Sequence, residues 1–212
     1  VGANGPAGPG AVGVIASLAR TAAGGAVSAI NVFSVDDSGA PIESASAVLP
    51  GSLSAGGFTA TNPRFEQYLS QVGFRGPSGL VGVGRDTAGN LVAAATATDS
   101  SGAGNAFVAV ARFAGGTPTW SIAAPPGQPV LDGPGGAAIG NLVTPGPDDP
   151  TPAISAPAVD LFGNVYVVAA WEPLAADRET GLFRVVWTGS AYELDLLLTS
   201  GDLLTGANSA TP

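Results

Sequence analysis

Carboxylates are the groups in this chain whose placement could do chemistry. Asp36, Asp86 and Asp160 each open an Asp-x-x-Gly pattern, continued by Gly39, by Gly89-Asn90 and by Gly163-Asn164. A carboxylate held on a turn could contribute to a Ca²⁺ site, which takes about six to eight oxygens. One carboxylate per turn is a thin supply. The same Asp can close an Asx-turn on its own backbone while Gly or Asn takes a positive-φ position, so we read all three motifs as structural turns. Asp148-Asp149, in a Pro-rich stretch, is a further weak Ca²⁺ candidate, because adjacent loop carboxylates are ordinarily just solvated. Paired carboxylates also hydrolyse glycosides, and Glu43, Glu66, Glu172 and Glu193 are available, but no spacing marks a pair among them. Trp120, Trp171 and Trp187 with Tyr166 and Tyr192 could stack on carbohydrate; strand aromatics more often fill cores. Gly82-Val83-Gly84-Arg85 is no phosphate loop, since it lacks the Lys-Ser/Thr and the helix that would follow.

Missing residue types narrow the chemistry further. The chain has no Cys, Met, His or Lys, and all seven of its cations are Arg. Without Cys there are no disulfides, thiol nucleophiles or Cys-held metals. Without His the commonest general base and transition-metal ligand are gone. We expect no cofactor and no enzymatic activity. A net charge of −9 argues against nucleic acid, whose phosphates need a basic surface. It argues equally against anionic lipid. No run reaches the roughly 18–20 apolar residues of a membrane helix.

The elements that must position these residues are strands. Gly (32) and Pro (18) punctuate the chain, and 45% of residues are apolar while only 11% are charged. That mixture favours turns over helices, and the Val/Ile/Leu/Thr/aromatic runs between the turns have strand character. The runs around Asp86 and Asp160 match beyond the turn itself. Gly89 to Gly127 and Gly163 to Gly201 are both 38 positions apart, with apolar runs at comparable places in between. Each unit offers about four short strands, and a four-stranded antiparallel unit repeated along a chain is the signature of a propeller blade. A first unit around Asp36 follows more loosely, with Phe58 to Thr61 and Tyr68 to Val72 in the later places.

The run Asp160-Leu161-Phe162-Gly163-Asn164-Val165-Tyr166-Val167-Val168-Ala169 resembles the turn of bacterial propeller repeats of the NHL and SBBP kinds. Gly181 to Leu204 also resembles secreted NxxGxxAF-type tandem repeats. These resemblances imply extracellular propellers that bind or scaffold, and they carry over no catalytic residue. The expected fold is all-β, with propeller-like repeats of four-stranded antiparallel units. The expected organisation is an arm and partial blade at 1–27 and units at about 28–77, 78–133 and 153–206. A Gly/Pro loop fills 134–152 and a linker 207–212. Three units are fewer than a closed propeller uses, which leaves strand edges for neighbours to complete.

The chain opens on Val1 rather than Met, which reads as a removed leader or as a segment of something longer. We expect a bacterial protein that is exported, to the extracellular space, cell surface or periplasm. It would serve as a structural or protein-interaction module, self-assembling or joining protein partners. The alternatives are a carbohydrate- or calcium-dependent binding propeller and a carboxylate-only glycoside hydrolase.

Overall fold

The computed structural model describes residues 13–20, 28–35, 38, 40–65, 81–99, 105–115, 117–143, 154–160 and 162–200. Asp36, Gly39, Glu66, the Tyr68–Val72 run, Asp148 and Asp149 lie outside the described residues. Every regular element among those described is a β-strand.

The central layer is an antiparallel meander of β7 (Gly82–Arg85), β8 (Leu91–Thr98), β9 (Ala106–Ala114) and β10 (Thr117–Ile122). A short strand, β6 (Arg64–Phe65), pairs with β8 beyond the end of β7. Successive side chains of a strand face opposite sides. On β8 and β9 both sides are apolar, so these strands read as unbroken Val/Ala/Phe runs rather than as alternation. Leu91, Ala93, Ala95, Ala97, Phe107, Ala109 and Ala111 pack into one core with Ile30, Val32 and Ala47. Val92, Ala94, Val108 and Val110 pack into a second core with Val165, Val167, Phe183, Val185 and Leu194.

The first core is closed by β1 (Gly13–Arg20), β2 (Ser28–Val35) and β3 (Pro41–Val48), an antiparallel three-stranded sheet, and by the hairpin β4 (Ser52–Ala55)–β5 (Phe58–Thr61). The second is closed by β13 (Ala158–Val159), β14 (Val165–Pro173), β15 (Glu179–Trp187) and β16 (Tyr192–Thr199), again a four-stranded meander. Two further strands join this sheet. β11 (Pro129–Leu131) lies parallel to β16, and β12 (Ala138–Leu142) pairs with both β11 and β14. The pairings β11–β12–β14–β15–β16 therefore run back to β11 as a five-stranded, barrel-like circuit.

That circuit differs from the sequence expectation in two respects. A plain stack of blades has no such closure, so the structure has an all-β fold of antiparallel units rather than a regular propeller. The stretch 134–152, expected to be loop, carries β12. Its Gly and Pro neighbours dominate the composition, yet Ile139 packs on the second core and Leu142 is buried in it.

Glycine explains how closely the layers approach. A Cβ on Gly82 would lie 2.6 Å from the Pro157 carbonyl oxygen, and one on Gly84 would lie 2.5 Å from that of Asp160. Gly-Val-Gly is thus a strand whose bare side rests on the backbone around β13, while Val83 turns into the first core.

Both junctions use the same sense of stacking. Gly82, four residues before Asp86, faces the third layer; Val32, four residues before Asp36, faces the central one. Ala45 and Ala47, directly opposite Val32 and Ile30, lie on that same face of β3. On the third layer the corresponding face, with Val168 and Leu182, is turned outward.

Candidate functional site

The two described Asp turns have the same internal bonding. Asp86 Oδ1 accepts from the backbone N–H groups of Ala88 (3.0 Å) and Asn90 (2.9 Å), and Oδ2 accepts from Asn90 Nδ2 (3.1 Å). Asp160 Oδ1 accepts from Phe162 (2.8 Å) and Asn164 (2.9 Å), and Oδ2 from Asn164 Nδ2 (2.9 Å). Gly89 and Gly163 sit at φ +82° and +78°, in the region that Gly enters without steric cost. The turns also touch, since a Cβ on Gly163 would lie 2.9 Å from the Asp86 Cβ.

Each carboxylate has one further donor, and there the turns part. Asp160 Oδ2 accepts from the Tyr166 hydroxyl at 2.9 Å. Asp86 Oδ2 instead takes an ion-paired hydrogen bond from Arg112 of β9. Burial raises the Asp86 pKa, but Asn90 and Arg112 outweigh it and hold the carboxyl below its ordinary range. Asp160 is likewise held low against burial, by Asn164, Phe162 and Tyr166. Oxygens filled by N–H and O–H donors are poorly placed to ligate Ca²⁺. Among the described residues no group of three or more acidic side chains could hold a metal ion.

Arg112 leads from the turn to a cavity. Its guanidinium carbon lies 5.6 Å from the ring centre of Trp187, a cation–π distance, and Trp187 packs on Tyr192 with centroids 4.9 Å apart. Burial pushes the Tyr192 hydroxyl pKa upward, and the neighbouring Arg112 only partly offsets this. Trp187 and Tyr192 form one side of a cavity of about 530 Å³, within the usual span of small-molecule sites. Trp120 of β10 stands on another side, steadied by Phe65 at a centroid distance of 6.1 Å. The tip of the β4–β5 hairpin and the segment leading into β11, with Gln128, complete the wall.

Gln128 Nε2 donates to the Tyr192 carbonyl at 2.7 Å. Its Oε1 and the Trp120 Nε1–H are buried without a hydrogen-bond partner among the described residues.

The five aromatics named from sequence are thus split. Trp120, Trp187 and Tyr192 share the cavity, whereas Tyr166 serves the Asp160 turn and Trp171 lies in the core, edge-on to Phe183 at 6.3 Å. Gln128 was missed; nothing in its local sequence marks it, and only the fold sets it beside Tyr192. Of the acid candidates, Glu66 lies outside the described residues, and Glu43, Glu172 and Glu193 sit on three different strands. Glu172 pairs with Asn141 at one end of β14, and Glu193 pairs with Val186 at the far end of β15. Glu193 Oε2 accepts instead from the Gly135 backbone N–H at 3.2 Å. No helix among the described residues is long and apolar enough to cross a membrane. No family model, curated protein or solved structure matches the chain.

Proposed function

We propose that this chain is a non-catalytic interaction module of propeller-like, blade-stacked units that works as a subunit of a larger bacterial assembly. The carrying feature is the outward face of the third layer. Val168, Leu182 and Leu198 lie directly opposite one another across β14, β15 and β16. The equivalent face of the central layer, with Ala94 and Val110, is covered by the next sheet. A face that continues the stacking sense, with no further layer on it among the described residues, is a site for another sheet.

The partner that fits is the first layer of a second copy. Its rear face exposes Phe33 (37%) and Val48 (55%), on the side that Val83 uses in the central layer. Such head-to-tail contacts between unlike faces build rings or filaments. The resemblance of the Asp turns to bacterial propeller repeats supports the same reading. On this reading the assembly is exported, to the periplasm, the cell surface or beyond it, as the resemblance to secreted tandem repeats implies.

Native mass by light scattering tests this. The expected result is a uniform oligomer that Leu182→Asp converts to monomer with the melting temperature of the protomer unchanged. A wild-type chain that stays monomeric at high concentration would sink the reading.

A further inference from the structure

The cavity beside Trp120 runs along the free edge of the central sheet. Successive residues of a strand face opposite sides, so a cavity on one face meets every second residue. This one is lined by Thr119, Trp120, Ser121 and Ile122 in succession, and by no residue of β9. It therefore lies along the edge of β10, in the plane of the sheet.

The register of β10 fixes which backbone groups point there. Ala123 N–H donates to the Val108 carbonyl at 2.8 Å, which makes these two residues a hydrogen-bonded pair. Such pairs alternate with non-bonded ones along an antiparallel ladder. Ser121 is then bonded to Val110 and Thr119 to Arg112. Trp120 and Ile122, opposite Ala111 and Ala109, turn their N–H and C=O groups away from β9. β10 ends the order of strands in this sheet, and among the described residues no backbone hydrogen bond reaches those outward groups. Pro118, the next outward position, has a carbonyl but no N–H.

The slot has a wall on each side. Trp120 and Ile122 face the first core, on the side of the β4–β5 tip with Ser54, Ala55 and Gly56. Thr119 shares the face of its partner Arg112, whose guanidinium lies over the Trp187 ring. The second wall is therefore Trp187, Tyr192 and the turn between them. A strand added to β10 would be covered on both faces, as β9 is. A second copy of this chain cannot supply that strand from its own β10, because the edge is recessed between the same two walls. Neither wall carries a charged side chain, in a protein of net charge −9, so an uncharged chain fits best.

We propose that this slot takes an uncharged, extended peptide segment of a partner protein, added to β10 as a further strand. Backbone bonds to Trp120 and Ile122 supply the affinity, and alternate side chains supply the choice of sequence. The side toward Trp120 and Ile122 takes apolar residues. The side toward Thr119 and Ser121 takes Thr or Ser, whose hydroxyls pair across strands. Thr119 to Ile122 spans ~13 Å at about 3.3 Å per residue, room for about four peptide residues. The slot is separate from the stacking face, since Val168, Leu182 and Leu198 line no part of it.

The test uses the intact chain and a terminally blocked Val-Thr-Val-Thr-Val-Thr hexapeptide. In amide hydrogen exchange read by NMR, Thr119 and Ser121 should be slow throughout. Trp120 and Ile122 should exchange faster than these in the free chain and slow by about tenfold or more in saturating peptide. Tryptophan fluorescence should saturate below ~1 mM peptide. N-methylating one alternating set of peptide amides, either the valines or the threonines, should weaken binding by about tenfold or more. Methylating the other set should cost less than about threefold, because only alternate N–H groups face β10. Leu182→Asp should bind the peptide as the wild type does, so a failed stacking reading leaves this result standing. No saturation by ~5 mM, equal losses with both methylated sets, or Trp120 and Ile122 amides unchanged by saturating peptide would each overturn the proposal.

Discussion

At the scale of single residues, the Asp turns hold the most side-chain bonding. Asp86 is the more consequential of the two, since it caps its own loop and anchors Arg112 against Trp187. Its side chain is only 10% exposed, so removing it strands several donors at once. Asp86→Ala should destabilise the fold by ~1–3 kcal/mol in a denaturant melt. The pH dependence follows from the lowered carboxyl pKa. The unfolded chain binds this proton more readily than the native one, so the stabilisation is fully present above the unfolded value of about 3.9 and is lost as pH falls through the lower folded value. The gap between wild type and variant should be widest above about pH 4 and close in more acidic buffer; a gap independent of pH would exclude this linkage. These turns were legible beforehand because Asx geometry is local. What was not legible is that Asp86 finds Arg112, 26 residues away, while Asp160 finds Tyr166.

At the scale of elements, close approach decides more than propensity. Gly82 and Gly84 would be poor strand residues on propensity alone, yet β7 needs them because backbone lies where a Cβ would go. Gly84→Ala should cost ~1–3 kcal/mol through overpacking against β13, whereas a loss well under 0.5 kcal/mol in a melt would mean the layers separate easily. The alternation of β14 and β15, buried at Val165, Val167, Phe183 and Val185 and partly open between them, is readable as one-faced. The uniform burial of β8 was readable as an apolar run but not as a layer with two covered faces. β12 escaped reading because a five-residue strand between Gly/Pro segments gives too short a pattern, and its pairing partner β14 lies some 30 residues downstream.

At the scale of the whole molecule, the two cores share one central sheet, so damage to either should unfold a common layer. Phe107, fully buried in the first core and edge-on to Phe58 at 5.6 Å, is the sharpest probe. Phe107→Ala should cost about 3–5 kcal/mol in a denaturant melt, from lost transfer energy plus an incompletely collapsed cavity. Leu182→Asp on the outward face should leave the protomer's melt unchanged while altering its native mass. That contrast separates a core residue from an assembly residue, although both are apolar strand positions in sequence.

Composition and period by themselves determined that this chain is all-β, with turns at the Asp86 and Asp160 motifs. Those properties are local, set by backbone preference at Gly and Asp and by which residues tolerate a pleated, half-buried surface. The circuit through β11 and β12, the common sense of stacking, and the meeting of Trp120, Gln128, Trp187 and Tyr192 were decided only by tertiary structure. Each joins residues far apart in the chain, where the choice of neighbour depends on shape and burial summed over whole sheets.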